Sequence, residues 1–93
     1  MILEKAIEAY LRDKVKKHGG IAFKFVSPGY NGVPDRLVIM PGGRIYFVEV
    51  KNERGRLSPL QLRCHNILDA LGIRVYVLWS KEDVDAFMEV ING

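Results

Sequence analysis

Two apolar runs separated by three turn residues most constrain this chain. Residues 35–40, Asp-Arg-Leu-Val-Ile-Met, and residues 44–51, Arg-Ile-Tyr-Phe-Val-Glu-Val-Lys, flank Pro41-Gly42-Gly43. Both runs carry β-branched and aromatic residues, and the Pro-Gly-Gly break is a turn, so the pair reads as a hairpin. The second run is apolar on both faces from Ile45 to Val48, which predicts a central strand covered on both sides. Its end departs from that pattern. Period-2 alternation puts Glu49 and Lys51 on one face. Burying charge without a partner is costly, so this pair needs a physical reason.

The elements around the hairpin follow from periodicity. Residues 2–18 predict an amphipathic helix, with Leu3, Ala6, Ile7, Tyr10, Leu11 and Val15 at helical spacing. Lysines crowd its last turns, where they complement the helix dipole, and Gly19-Gly20 ends it. Residues 21–26 predict a short strand, followed by a loop over 27–34 with two prolines and two glycines. Ser58-Pro59 starts a second helix that runs to Leu71, with Leu60, Cys64, Ile67, Leu68 and Leu71 as its apolar stripe. Residues 73–78 predict a fourth strand. Ser80 caps a last helix that buries Val84, Phe87, Met88 and Ile91. The order is α-β-β-β-α-β-α, which implies an α/β fold: a mixed four-stranded sheet flanked by helices.

With 93 residues, the chain reads as a single domain over 1–93, with a small core and a reason to oligomerise. Its net charge of +3 does not by itself point to nucleic acid. The distribution says more: Arg12, Lys14, Lys16 and Lys17 cluster near the end of the first helix. Lys51, Arg54 and Arg56 lie in and beside a Gly-containing loop of a kind that can approach phosphates. One cysteine, Cys64, permits no internal disulfide, and the charged N-terminal segment does not resemble a signal peptide. No apolar run is long enough to cross a membrane. The expected location is therefore the cytoplasm.

The hairpin register decides what Asp35 and Glu49 do. If the turn is Pro41-Gly42-Gly43, Met40 pairs with Arg44 and Asp35 falls opposite Glu49, their Cβ atoms about 5 Å apart on one face. Two facing carboxylates repel, and a hard divalent cation relieves that repulsion. A register one residue different sets Glu49 opposite Arg36, a plain cross-strand ion pair. Spacing alone leaves both open.

Gly32-Val33-Pro34-Asp35-Arg36, Phe47-Val48-Glu49-Val50-Lys51 and Ser58-Pro59-Leu60-Gln61 change that balance, together with Gly19-Gly20 after a glutamate-bearing helix. With these motifs, over nearly its whole length, the chain resembles the PD-(D/E)xK nuclease superfamily and, within it, the stand-alone VRR-NUC domains. The resemblance implies a restriction-endonuclease-like core and a metal-dependent DNA endonuclease. Asp35 and Glu49 would bind Mg2+ or Mn2+, with the Val50 carbonyl as a further ligand and Lys51 as the catalytic lysine. A glutamate from the first helix would complete the site. Glu8 fits the spacing to Gly19-Gly20 better, while Glu4 lies nearer the middle of the apolar arc and has no basic residue four positions on. Glu8 has one in Arg12. Stand-alone relatives also imply a homodimer that cleaves branched DNA such as four-way (Holliday) junctions, in DNA repair, within a bacterial or phage-infected cell. The alternatives are a flap or nicking nuclease, or a non-catalytic DNA-binding module of the same fold.

Gln61 carries two readings. Ser58-Pro59-Leu60-Gln61 is an S-x-x-Q capping box, and the family also places a glutamine here near its active site. Lys24, Tyr30, Arg54 and Arg56 are candidate DNA contacts. Neither His18 nor His65 is expected to be a ligand; His65, one helical turn after Gln61 on the same face, is the better placed exception.

Overall fold

The computed structural model describes residues 2–92, so the outermost positions of the 1–93 domain, Met1 and Gly93, lie outside the described residues. The elements are α1 (Glu4–Lys17), β1 (Ile21–Lys24), β2 (Arg36–Met40), β3 (Arg44–Val50), α2 (Pro59–Ala70), β4 (Val75–Leu78) and α3 (Lys81–Asn92), in the order expected. Strands lie side by side as β1-β2-β3-β4. The first three are antiparallel, and β4 joins β3 in parallel after the α2 crossover, so the sheet is mixed.

The hairpin has the three-residue turn. Met40 pairs with Arg44, and the ladder continues to Arg36 opposite Val48. One step further, Asp35 faces Glu49, and the alternative that set Arg36 against Glu49 is excluded.

Alternation splits the sheet into two unlike faces. One carries Ala22, Val38, Met40, Val48, Val50 and Leu78, all buried under α1 and α3. Ile7, Leu11 and Val15, spaced by four, give α1 one buried stripe; Val84, Phe87, Met88 and Ile91 do the same for α3, as its periodicity predicts. Tyr46, Tyr76 and Phe87 meet edge-to-face at the far end of this layer. Gly20 lets α1 close on the sheet, since a Cβ there would stand 2.6 Å from the Ile39 carbonyl oxygen.

On the other face, α2 covers only the end that carries Glu49. Three sequence expectations change as a result. β3 is central, but only its second half is covered on both sides: Ile45 is 58% exposed, and Ile21 and Phe23 on the same face of β1 are 49% and 48% exposed. The buried residues of α2 are Cys64 and His65, whereas Leu60, Ile67 and Leu71 of the expected stripe face solvent. β1 ends at Lys24 rather than at residue 26; Phe25 adds one last bond, its amide donating to the Asp35 carbonyl at 2.8 Å, before the chain turns away.

Candidate active site

Asp35 is held from both sides. The bond from Phe25 fixes its backbone, and its Oδ1 accepts the Val50 amide at 3.3 Å. The N–H and C=O of one residue in an extended strand leave the same edge, so the Val50 carbonyl is directed toward Asp35 as well. Glu49, opposite, is 1% exposed. Both of its oxygens are met from α2: Gln61 Nε2 donates to Oε2 at 3.3 Å, and His65 Nε2 lies 3.3 Å from Oε1. One helical turn separates these two residues, so a single face of α2 clamps the carboxylate.

Gln61 fills both roles read from its motif. Its amide donates to Ser58 Oγ at 3.1 Å and its Oε1 accepts the Ser58 amide at 2.9 Å, a complete capping box, which leaves Nε2 for Glu49. Gly32 seats the preceding loop on this turn. Its φ is +86°, and a Cβ there would stand 2.2 Å from the Leu60 carbonyl oxygen, so the Gly-Val-Pro-Asp segment closes directly on the start of α2.

The charges are arranged unfavourably for a site without a cation. Burial, and then the facing Asp35, pushes the Glu49 carboxyl up to about 8. Burial raises Asp35 too, partly offset by the hydrogen bonds it accepts from the Glu49 carboxyl and from the Val50 amide. Glu4 is raised by burial and by the charges of Glu8 and Asp35, while Lys51 pulls it down. Burial lowers His65, which favours the neutral imidazole as donor to Glu49. Lys51 is half-buried, its charge acts on Glu4 and Glu49, and it forms no ion pair among the described residues.

Glu8 has a partner that its sequence neighbours do not suggest. Arg36 Nη2 donates to its Oε2 at 2.7 Å, rather than Arg12, the basic residue one turn on along the helix. Arg36 is itself buried. The donors around Asp35 and Glu49 are hard oxygens, which suits Mg2+ or Mn2+. No trio of His, Cys, Asp and Glu converges on one metal position among the described residues, so backbone carbonyl and water would complete the shell.

The VRR-NUC domain family matches residues 4–82, a span that includes Asp35, Glu49, Lys51, Gln61 and His65. The chain belongs to the VRR-NUC family. "Putative nuclease p44" of Acyrthosiphon pisum secondary endosymbiont phage 1 is 50% identical over 92 residues, covering 99% of this chain and 98% of its own length. A solved structure described as a VRR_NUC domain superposes with a TM-score of 0.86 at 38% identity, covering 92% of this chain and 94% of its own.

Around the acidic pair of this VRR-NUC chain, the candidate DNA contacts spread outward. Lys24 is exposed at the end of β1, paired in register with Arg36. Arg54 and Arg56 are exposed on the loop after Lys51, which doubles back so that an added Cβ at Gly55 would lie 3.3 Å from the Lys51 side chain. Tyr30 is exposed on the loop that Gly32 seats against α2. Two contributors, His65 and Arg36, are not among the site residues expected from the sequence. His65 carried a usable signal, its i+4 spacing from Gln61. Arg36 carried none, because its partner is 28 positions away.

Proposed function

We propose that this VRR-NUC protein is a Mg2+- or Mn2+-dependent DNA endonuclease that cuts branched DNA, four-way junctions foremost, as a homodimer. One observation carries the reading. Two carboxylates face each other across a buried hairpin end, with Glu49 pushed up to about 8, and a lysine without an ion pair among the described residues stands one same-face step further along. Such a pair is poised to take up a divalent cation in place of protons. The family and the nuclease name of the phage relative support the same reading.

Asp35, Glu49 and the Val50 carbonyl would hold the cation. Bound there, it would lower the pKa of a water and take up charge on the scissile phosphate. Lys51 would stabilise negative charge on the phosphate oxygens as the bond to the leaving group breaks, leaving a 5′-phosphate product. Gln61 and His65 fix the Glu49 rotamer. From α1, Glu8 is held rigidly by Arg36 beside Asp35, and Glu4 stands one turn away with neither oxygen in an ion pair among the described residues. Lys24, Tyr30, Arg54 and Arg56 would contact the DNA.

The homodimer reading is supported by apolar surface left open on the sheet (Ile21, Phe23, Ile45) and along α2 (Leu62, Ile67, Leu71). A two-fold dimer would set two sites across a two-fold junction. No helix among the described residues is long and apolar enough to cross a membrane. The phage relative fits action on DNA in the cytoplasm of an infected bacterial cell, in repair or resolution of branched intermediates.

The test is cleavage of end-labelled linear, flap and four-way-junction DNA with Mn2+, Mg2+ or EDTA, by wild type and Lys51→Ala, alongside sedimentation at micromolar concentration. Junction cutting that needs metal and is lost in Lys51→Ala is the expected result. A monomer that cuts flaps or nicks linear DNA instead would replace the junction reading. Binding without any cutting would make this a DNA-binding module.

A further inference from the structure

A pocket of about 230 Å³ lies between the 27–34 loop and the start of α2, lined by Gly29, Tyr30, Asn31, Leu60 and Arg63. Its walls do not have the character of a packing gap. Tyr30 and Leu60 both leave about half of their surface open to solvent. The side chains of Tyr30, Asn31 and Arg63 have no hydrogen-bond or ion-pair partner among the described residues. An aromatic face, an aliphatic wall, an amide with both donor and acceptor, and a guanidinium therefore all stand ready for a ligand.

Both walls lead straight to the acidic pair. Leu60 precedes Gln61, which bonds Glu49. Asn31 precedes Gly32, whose backbone abuts Leu60, and Asp35 follows three residues later. A ligand here would be part of the same DNA that the acidic pair acts on. The flat apolar walls suit a heteroaromatic ring, the amide suits its polar edge, and the guanidinium suits a phosphate. A base stacked inside a duplex must be unpaired and extruded to enter such a pocket, whereas a bulged base is already unpaired and one beside an opened branch point has lost a stacking neighbour.

We propose that this pocket holds one unpaired nucleobase of the DNA, with Tyr30 as its stacking face, Asn31 on its edge and Arg63 on the adjoining phosphate. The proposal rests on the DNA-nuclease reading and gives it a source of selectivity. DNA in which a base is already unpaired is favoured over a continuous duplex, because it enters the pocket without the cost of unpairing.

The experiment uses duplexes with a central single-nucleotide bulge that is either 2-aminopurine or abasic, bound by Lys51→Ala protein so that no cutting intervenes. Affinity is read by anisotropy and base environment by 2-aminopurine fluorescence. The base-containing bulge should bind roughly tenfold tighter than the abasic one and change in fluorescence on binding. Tyr30→Ala should erase that difference and Tyr30→Phe should keep it, while Arg63→Ala should weaken both DNAs. Equal affinity for the two bulges, or a preference that survives Tyr30→Ala, overturns the pocket. The nuclease reading fails separately: a wild type that never cuts, with the base preference intact, overturns that reading and leaves the pocket standing.

Discussion

Replacing Glu49 with glutamine should make the metal-free protein much less sensitive to pH. The Glu49 carboxyl titrates near 8 in the folded protein, against an ordinary value of 4.5. Between those two values the native state keeps a proton that the unfolded chain has released, so raising the pH pulls the equilibrium toward unfolding. Each pH unit in that window costs about 1.4 kcal/mol. From pH 5 to pH 7 the loss is about 3 kcal/mol, which for a chain of this length lowers Tm by roughly 10–20 °C. Glu49→Gln has no such proton to lose, and its amide can keep hydrogen bonds to Gln61 and to a neutral His65. The upward shift of Asp35 works in the same direction in both proteins. The downward shift of His65 works the opposite way below its ordinary 6.5, again in both, so the difference between the two curves reports the facing Asp35–Glu49 pair, whose larger upward shift is that of Glu49. The measurement is thermal unfolding by circular dichroism in EDTA from pH 5 to 8. Added Mn2+ should raise the Tm of wild type more at pH 7 than at pH 5 and do little for the variant. Parallel curves for wild type and Glu49→Gln in EDTA would refute the argument that a buried, facing carboxylate is held protonated.

Two further substitutions test the scaffold and the α1 carboxylates. Gly32→Ala must place a Cβ against the Leu60 carbonyl from a left-handed backbone, so it should cost about 2–4 kcal/mol in urea unfolding; a loss below about 1 kcal/mol would mean that the loop is not seated on α2. Glu8→Gln strands the buried Arg36 guanidinium and should lower stability by about 3 kcal/mol, whereas Glu4→Gln should leave stability unchanged or slightly higher and reduce metal-dependent cleavage. The reverse pattern, with Glu8→Gln stable but inactive, would exchange the two roles.

What could be read in advance was whatever depends on residues near one another in sequence. The hairpin and its two candidate registers were legible because register is a local property. Spacing left Asp35 and Arg36 both open as the partner of Glu49, the motif resemblance favoured Asp35, and the ladder has that register. The caps of α2, the buried face of α3 and the Ile7, Leu11 and Val15 stripe of α1 were legible for the same reason, whereas Leu3 and Ala6, expected on that stripe, are exposed because the first turn of α1 extends past the sheet. The errors come from the packing of one element on another. Cys64 and His65 are buried in α2 while Leu60, Ile67 and Leu71 are not, because that helix covers only one end of the sheet, and helical periodicity does not say how far a helix reaches. Ile45 looked like a covered residue and is exposed on the same account. The Glu8–Arg36 bond joins α1 to β2, and nothing near either residue announces it.

The placement of Gln61 and His65 has a consequence for the order in which the site is built. Asp35 and Glu49 meet through a three-residue turn, a contact that forms on the timescale of hairpins, about microseconds. Their clamp arrives by a different route. Gln61 and His65 lie on α2, whose docking is completed when β4 returns to pair in parallel with β3, and parallel pairing across a crossover is the slower event. The acidic pair therefore exists before anything holds the Glu49 rotamer, and during synthesis a chain that stops short of Val75 has its carboxylates in register but no β4 against which to fasten α2. Competence is conferred by the last strand, and pulse-labelled hydrogen exchange should find the β2–β3 amides protected before those of β4.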